Sequence, residues 1–147
     1  MDEKDAKILS ILKNNARTST REISKKTMLP ITTVHNRIKR MRKNGLIKKY
    51  TIVPDYNKLG MGILAYIFLH INYRLMHRDS VESELRKLIE PHGIIEDISF
   101  VTGIMDIVLK VRTDNLSTLS NFVGKSLRET EFVKDTETHV VLTDHND

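Results

Sequence analysis

The spacing of apolar residues in this chain changes once, and that change constrains the fold more than any other feature. Up to residue 43 they recur at intervals of three and four, the period of a helix that buries one face. From Ile63 they alternate in twos, the period of a strand. Between the two regimes lies Pro54 to Gly62, PDYNKLGMG, which carries turn chemistry. Gly60-Met61-Gly62 begins like a nucleotide-binding loop, but no strand precedes it and no third glycine follows at the right spacing, so it reads as linker. The expected organisation is a first domain over 1–53, a linker over 54–62 and a second domain over 63–147.

In the first domain a helix is expected from Asp2 to Asn14, with Asp2, Glu3 and Asp5 where the helix dipole favours acids. Ile8, Leu9, Ile11 and Leu12 form its apolar stripe. A second helix starts at Ser19 or Thr20 as N-cap, with Ile23 as its core residue. Thr27-Met28-Leu29 turns the chain, and Pro30 is expected at the first position of a third helix. There Val34, Ile38 and Met41 share one buried face, and Asn44-Gly45 supplies a left-handed stop. Three helices with so short a turn between the last two make a helix-turn-helix. Leu46, Ile47, Tyr50, Ile52 and Val53 then read as a strand packed on the helices, with Lys48 and Lys49 outside as a small wing.

Charge gives this module a partner. The chain carries +5 overall, but residues 1–50 hold fourteen Lys/Arg against four Asp/Glu, or +10, and the remainder holds ten against fifteen, or −5. A helix with an apolar face and His35, Asn36, Arg37, Lys39, Arg40, Arg42 and Lys43 around the rest is built to meet a polyanion. It therefore reads as a DNA recognition helix rather than a solvated surface. The N-terminal residues of such a helix contact base edges, so Thr32, Thr33, His35 and Asn36 are candidates for base contact. Arg37, Lys39, Arg40, Lys43 and Lys48 are candidates for phosphate, with Arg37 or Arg40 as alternative readers of guanine. Arg17, Arg21 and Lys25 are expected to touch the DNA backbone.

The second domain opens with Ile63 to Ile71, apolar on both faces and so expected at the centre of a sheet. A helix capped at Asp79 or Ser80 follows, carrying Val81, Leu85, Leu88 and Ile89, and Pro91-His92-Gly93 stops it. Ile94 to Val101 and Met105 to Arg112 read as strands joined by a tight turn at Thr102-Gly103. A helix from Asp114-Asn115 carries Leu116, Leu119, Val123 and Leu127, and Phe132 to Thr143 is the last strand. This βαββαβ order is that of a ferredoxin-like domain, and the fold class is α+β. One face of the sheet stays open, with Tyr66, Phe68, Val108 and either Val140 or Val141 as candidates. An open apolar face invites a second copy, which suits DNA half-sites about 34 Å apart.

The order and spacing of these residues resemble the Lrp/AsnC (feast/famine) transcriptional regulators, of archaeal type, over nearly the whole chain. The resemblance is carried by Asp5 with Ile8-Leu9 and Leu12, Ala16-Arg17, Val34 with Arg37-Ile38, Gly45-Leu46-Ile47 and Tyr50. In the second domain it is carried by Thr102-Gly103 with Asp106, then Thr136 and Thr138. It implies a winged helix-turn-helix and a ligand-responsive dimeric domain, often stacked into tetramers or octamers. It also implies an amino-acid effector held between neighbouring dimers near Thr102, Gly103 and Asp106, with Thr136 and Thr138. Asp106 reads equally as an effector anchor or a hairpin-end carboxylate, and the threonines suit any strand. Three departures from the family pattern stand out: Met28 where the turn usually has glycine, Pro30 in place of serine, and Arg42 in place of an acid. The apolar Ile104-Met105 between Gly103 and Asp106 makes an apolar effector, or none, as reasonable as a polar one.

Other classes fare worse. The chain has no cysteine, its N-terminus does not resemble a signal peptide, and its longest apolar run is interrupted by His70, so a cytoplasmic protein without membrane contact is expected. His70, His77, His92, His139 and His145 lack metal-ligand spacing, and no cofactor beyond a possible amino-acid effector is expected. A haem-pathway decarboxylase using His70 or His139 with Arg74 or Arg112 would share the two-domain plan. An RNA-binding sheet would need paired stacking aromatics that ISFVTG and MDIVLKVR lack. The expected partners are double-stranded promoter or operator DNA, a second copy of the chain, and the transcription machinery. A sequence-tolerant architectural DNA binder is the alternative.

Overall fold

A computed structural model describes residues 2–75, 77–90 and 92–143. Pro91 and His145 lie outside the described residues, as does the side chain of Asp79. The chain divides into two compact units, Met1–Val53 and Pro54–Asp147.

The first unit holds α1 (Glu3–Asn14), α2 (Thr20–Thr27) and α3 (Ile31–Lys43). Asp2 caps α1 through a reciprocal box with Asp5, and Ser19 caps α2 through a box with Glu22, so each helix starts where a side-chain oxygen replaces a missing carbonyl. Pro30 is the N-cap of α3 rather than its first helical residue: its carbonyl accepts from Val34 N at 3.0 Å, and no side chain caps that end. The helix-turn-helix bend runs through Met28, whose φ of 57° lies in the left-handed region. Ile8, Leu12, Ile23, Val34 and Met41 form the core, with Ile11, Leu29, Ile38 and Ile47 packed around it.

A polar seam joins α1 to α3 beside that core. Arg37 Nη1 donates to Asp2 Oδ2 at 2.6 Å and to Asp5 Oδ1 at 2.8 Å, and Arg40 Nη2 donates to Asp5 Oδ2 at 2.8 Å. Asp5 is buried, with both oxygens engaged by guanidinium groups. The Arg37 guanidinium holds the Asp5 carboxyl below its ordinary value, against the opposing effect of burial.

The strand expected over Leu46 to Val53 does not form among the described residues. Leu46 N and Ile47 N bond back to Met41 O, but the following segment has no ladder partner within its own unit. Ile52 and Val53 are more than three-quarters exposed. An extended segment without a neighbouring strand has nothing to bond its amides to, so apolar alternation alone does not make it a wing.

The second unit contains β1 (Ile63–Ile71), α4 (Arg78–Ile89), β2 (Gly93–Phe100), β3 (Ile107–Thr113), α5 (Leu116–Asn121) with a π-helical continuation over Phe122–Leu127, and β4 (Val133–Val140). The sheet is antiparallel between neighbours in the order β2-β3-β1-β4, so β1 is central. Ala65, Ile67, Leu69 and Ile71 join Ile107, Leu109 and Val111 under the helices. The π turn, closed by Arg128 N to Val123 O, lets Phe122 and Leu127, five residues apart, both be fully buried. Tyr66 pairs with Lys110 and Phe68 with Val108 on the other face. Of Val140 and Val141, the register gives that face to Val141, which bonds opposite Leu64, because Val140 pairs with Ala65. The connection between β2 and β3 spans 101–106, longer than the two-residue turn expected. The segment 54–62 is not a free tether but folds with the second unit: Asp55 accepts from Lys58 N, and Met61 N bonds Tyr56 O.

Two outcomes follow from this packing. Met28→Gly should stabilise the protein by about 0.5 to 1 kcal/mol in urea unfolding, because it relieves a left-handed L-residue at an exposed site. The Asp5 contribution should also be visible in the pH dependence of stability. Its folded-state pKa is lowered from 3.8, so the contribution is present above that value and lost as pH falls through the folded one. Urea midpoints measured from pH 5 downward should therefore fall more steeply for wild type than for Asp5→Asn.

Candidate nucleic-acid interface and effector loop

The α3 surface follows from its period. With Val34 and Met41 buried and Ile38 beside them, the residues about half a turn away are Thr32, Asn36, Lys39 and Lys43, all exposed. They make one polar stripe along the outside of the helix. His35 and Arg42 flank it on the side of Ile47 and Lys48, where these residues line a shallow groove with Lys39 and Lys43. The Arg42 guanidinium lies 5.8 Å from the centre of the Tyr50 ring, which anchors the segment after α3. Arg17, Arg21, Lys25 and Lys48 are exposed, while Thr33 is half-buried.

Arg37 and Arg40 occupy the opposite flank and are turned toward α1 by Asp2 and Asp5. The Arg37 side chain is only 18% exposed, whereas that of Arg40 is 55% exposed. Charge and spacing place both among the phosphate candidates because neither reveals a partner on another helix. The signal was present in the acids at positions 2 and 5, which together cap α1 and face α3.

The candidate effector residues are not gathered into one site within the second unit. Asp106 Oδ2 accepts from His70 Nδ1 and from Ile71 N, both at 2.8 Å, while its own amide donates to Leu69 O. The carboxylate thus fastens the 101–106 loop to the end of β1. Thr102, Gly103 and Ile104 are exposed, and Gly103 has φ 130°, a conformation that favours glycine. Thr136 is buried in β4 opposite Leu69, on the helix-covered face, and its hydroxyl accepts from Arg128 Nε at 3.1 Å. Thr138 is exposed two residues further along the strand.

A second cluster has no local signature in the sequence. A bulge in β2 between Ile95 and Asp97 sets Glu96 apart from the regular pairing, and its carboxylate reaches both Lys110 and Arg112 at 2.7 Å. The Tyr56 ring lies over the Arg112 guanidinium at 4.4 Å. Burial and then the Glu96 carboxylate push the Tyr56 phenol up. Burial acts to raise the Glu96 carboxyl, but Lys110 and Arg112 outweigh it and leave it lowered. Tyr56 thereby straps the former linker to the sheet, with Arg112 occupied as its platform.

Two family models match the chain. "Winged helix-turn-helix DNA-binding" covers residues 1–48, and "Lrp/AsnC ligand binding domain" covers residues 66–147. The HTH-type transcriptional regulator FL11 of Pyrococcus furiosus is 38% identical over 147 residues, covering 100% of this chain and 93% of the relative. Among solved structures, Bacillus subtilis LrpC superposes with a TM-score of 0.83 at 25% identity, covering 98% of this chain and 96% of that one. The regulator NMB0573 of Neisseria meningitidis, solved as a complex with L-Met, shares the fold with a TM-score of 0.88 at 24% identity, covering 100% of this chain and 93% of that one. No helix among the described residues is long and apolar enough to cross a membrane. A helix-turn-helix with an outward basic stripe, followed by a ferredoxin-like domain that matches the ligand-binding model, leaves no room for the decarboxylase alternative: the chain belongs to the Lrp/AsnC family of transcriptional regulators and is not an enzyme.

Proposed function

We propose that this regulator acts in the cytoplasm as a homodimer or a higher oligomer that reads double-stranded operator DNA through the outer stripe of α3. The observation that carries the reading is the alignment of Thr32, Asn36, Lys39 and Lys43 on the exposed side of a helix whose opposite side is core. Thr32 and Asn36, in the first half of the helix, suit base edges: a threonine methyl packs on thymine, and an asparagine amide bonds adenine in bidentate fashion. Lys39 and Lys43 suit phosphate, with His35, Arg42 and Lys48 along one flank, and Arg17 and Arg21 before and within α2. Dimerisation is assigned to the second unit, whose open sheet face carries Tyr66 and Phe68. Pairing two such units would offer two recognition helices to half-sites one helical repeat apart.

The exposed 101–106 loop and the match to a ligand-binding family model support a small effector, and a neighbouring copy would have to complete its site, because Asp106 is already bonded to His70 and Ile71 at the end of β1. The exposed Ile104 favours an effector with an apolar side chain. L-Met, carried by the Neisseria regulator, has that chemistry.

Selection of bound duplexes from a random pool tests the DNA reading. A regulator should enrich a two-fold symmetric site and bind it more than about 10³-fold tighter than random duplex at fixed salt. Equal affinities would make the protein a sequence-tolerant architectural binder. Lys39→Ala should weaken binding to all duplexes and reduce the salt slope by about one unit. Asn36→Ala should instead relax preference at one base position, costing about 1 to 3 kcal/mol there and little on random DNA.

A further inference from the structure

The first unit owes its charge of +10 to a scarcity of acids, and the four it has are all placed in helix-capping turns: Asp2, Glu3 and Asp5 at α1 and Glu22 at α2. Glu3 pairs with Lys7 of its own helix and Glu22 closes its own cap. Asp2 and Asp5 differ, because they reach across to two of the five cationic side chains of α3.

We infer that Asp2 and Asp5 act as an acidic clamp that withholds Arg37 and Arg40 from the DNA backbone and so limits sequence-independent affinity. The inference rests on α3 being the DNA-reading helix. Its physical basis is the burial of Asp5, which is 3% exposed and has both oxygens bonded to guanidinium. If Arg37 swung out to a phosphate, it would leave Oδ1 of a buried carboxylate without its partner, with only Oδ2 still held by Arg40, and gain a contact in a salt-screened groove. The exchange is unfavourable, so Arg37 stays on α1. Arg40 shares the same carboxylate through Nη2 and is drawn to the same side.

The helix therefore presents Lys39 and Lys43, which are point charges on flexible stems, to phosphate, with Arg42 on one flank, and keeps the guanidinium forks of Arg37 and Arg40 occupied. Arginine forks on a recognition helix bind any phosphate bidentately, and two free ones would raise binding to every duplex alike. A clamp of this kind widens the ratio of specific to random affinity by lowering its denominator. Asp2 and Asp5 are specificity-determining positioning residues that never need to touch DNA.

The test is binding of the full chain to a random-sequence 30-base-pair duplex across a salt series, with thermal melts to confirm folding. Asp5→Asn should tighten binding about five-fold and steepen the salt slope by about one unit, as a released guanidinium displaces a further counterion. Asp2→Asn keeps a good N-cap and should act in the same direction but more weakly, because Asp5 still holds Arg37. Glu3→Gln makes the same charge change one residue from Asp2 and frees no guanidinium of α3, so it should do less than half as much as Asp5→Asn. Arg37→Gln should leave the slope at its wild-type value.

The clamp is wrong if Asp5→Asn binds random duplex no tighter than Glu3→Gln, or if Arg37→Gln lowers the slope by about one unit. Should Asp5→Asn fail to fold, the comparison of Asp2→Asn with Glu3→Gln and the Arg37→Gln slope decide the matter in the same way. Lys39→Ala separates the two readings. If it leaves binding unchanged, α3 is not the DNA surface; if it weakens binding while the clamp variants behave like Glu3→Gln, only the clamp falls.

Discussion

The buried carboxylate of Asp5 is the constraint on which the outer surface of α3 depends. A charge that has left water must be paired, and in this unit the pairs come from Arg37 and Arg40 on the neighbouring helix. One residue thus does two things: it completes the capping box of α1, and it ties α1 to α3 by pairing with Arg37 and Arg40. The apolar core around Ile8, Ile23 and Val34 holds the helices together without specifying how α3 is rotated about its axis as sharply as two directed guanidinium bonds do.

The second unit solves a different problem. A strand that is apolar on both faces needs cover on both, and the two helices supply it on one side only. On the other side Tyr56 and the Glu96–Lys110–Arg112 cluster close one end of the sheet with a polar network, leaving Tyr66 at 36% exposure and Phe68 half-buried. That division suits a face that both anchors its own connector and meets a second copy. Asp106 plays the corresponding part at the other end of β1, where it holds the 101–106 loop through His70 and Ile71.

Most of the architecture was legible because it is written in short-range signals. Helix starts at Asp2 and Ser19, the stop at Gly45, the three-helix module and the βαββαβ order all follow from capping chemistry and periodicity. Where the reading failed, the missing information was a partner. Residues 46–53 alternate like a strand but have no edge within their unit to bond. The segment 54–62 reads as a linker because nothing in PDYNKLGMG announces that Tyr56 will stack on Arg112, a residue far along the chain. The five-residue step from Phe122 to Leu127 is invisible to a 3-4 pattern because a π turn adds one residue to the repeat.

The same distinction runs through the candidate site. By itself the sequence determined that α3 carries a polar, basic surface and that this surface belongs to a DNA-binding regulator, since period and charge are local properties of consecutive residues. Only the tertiary structure decided which of those cations are paired within their own unit. Thr32, Asn36, Lys39 and Lys43 stand clear on the outer stripe, whereas Arg37 and Arg40 are claimed by α1. An ion pair between residues more than thirty positions apart is set by how two helices pack, and neither helix reveals it alone.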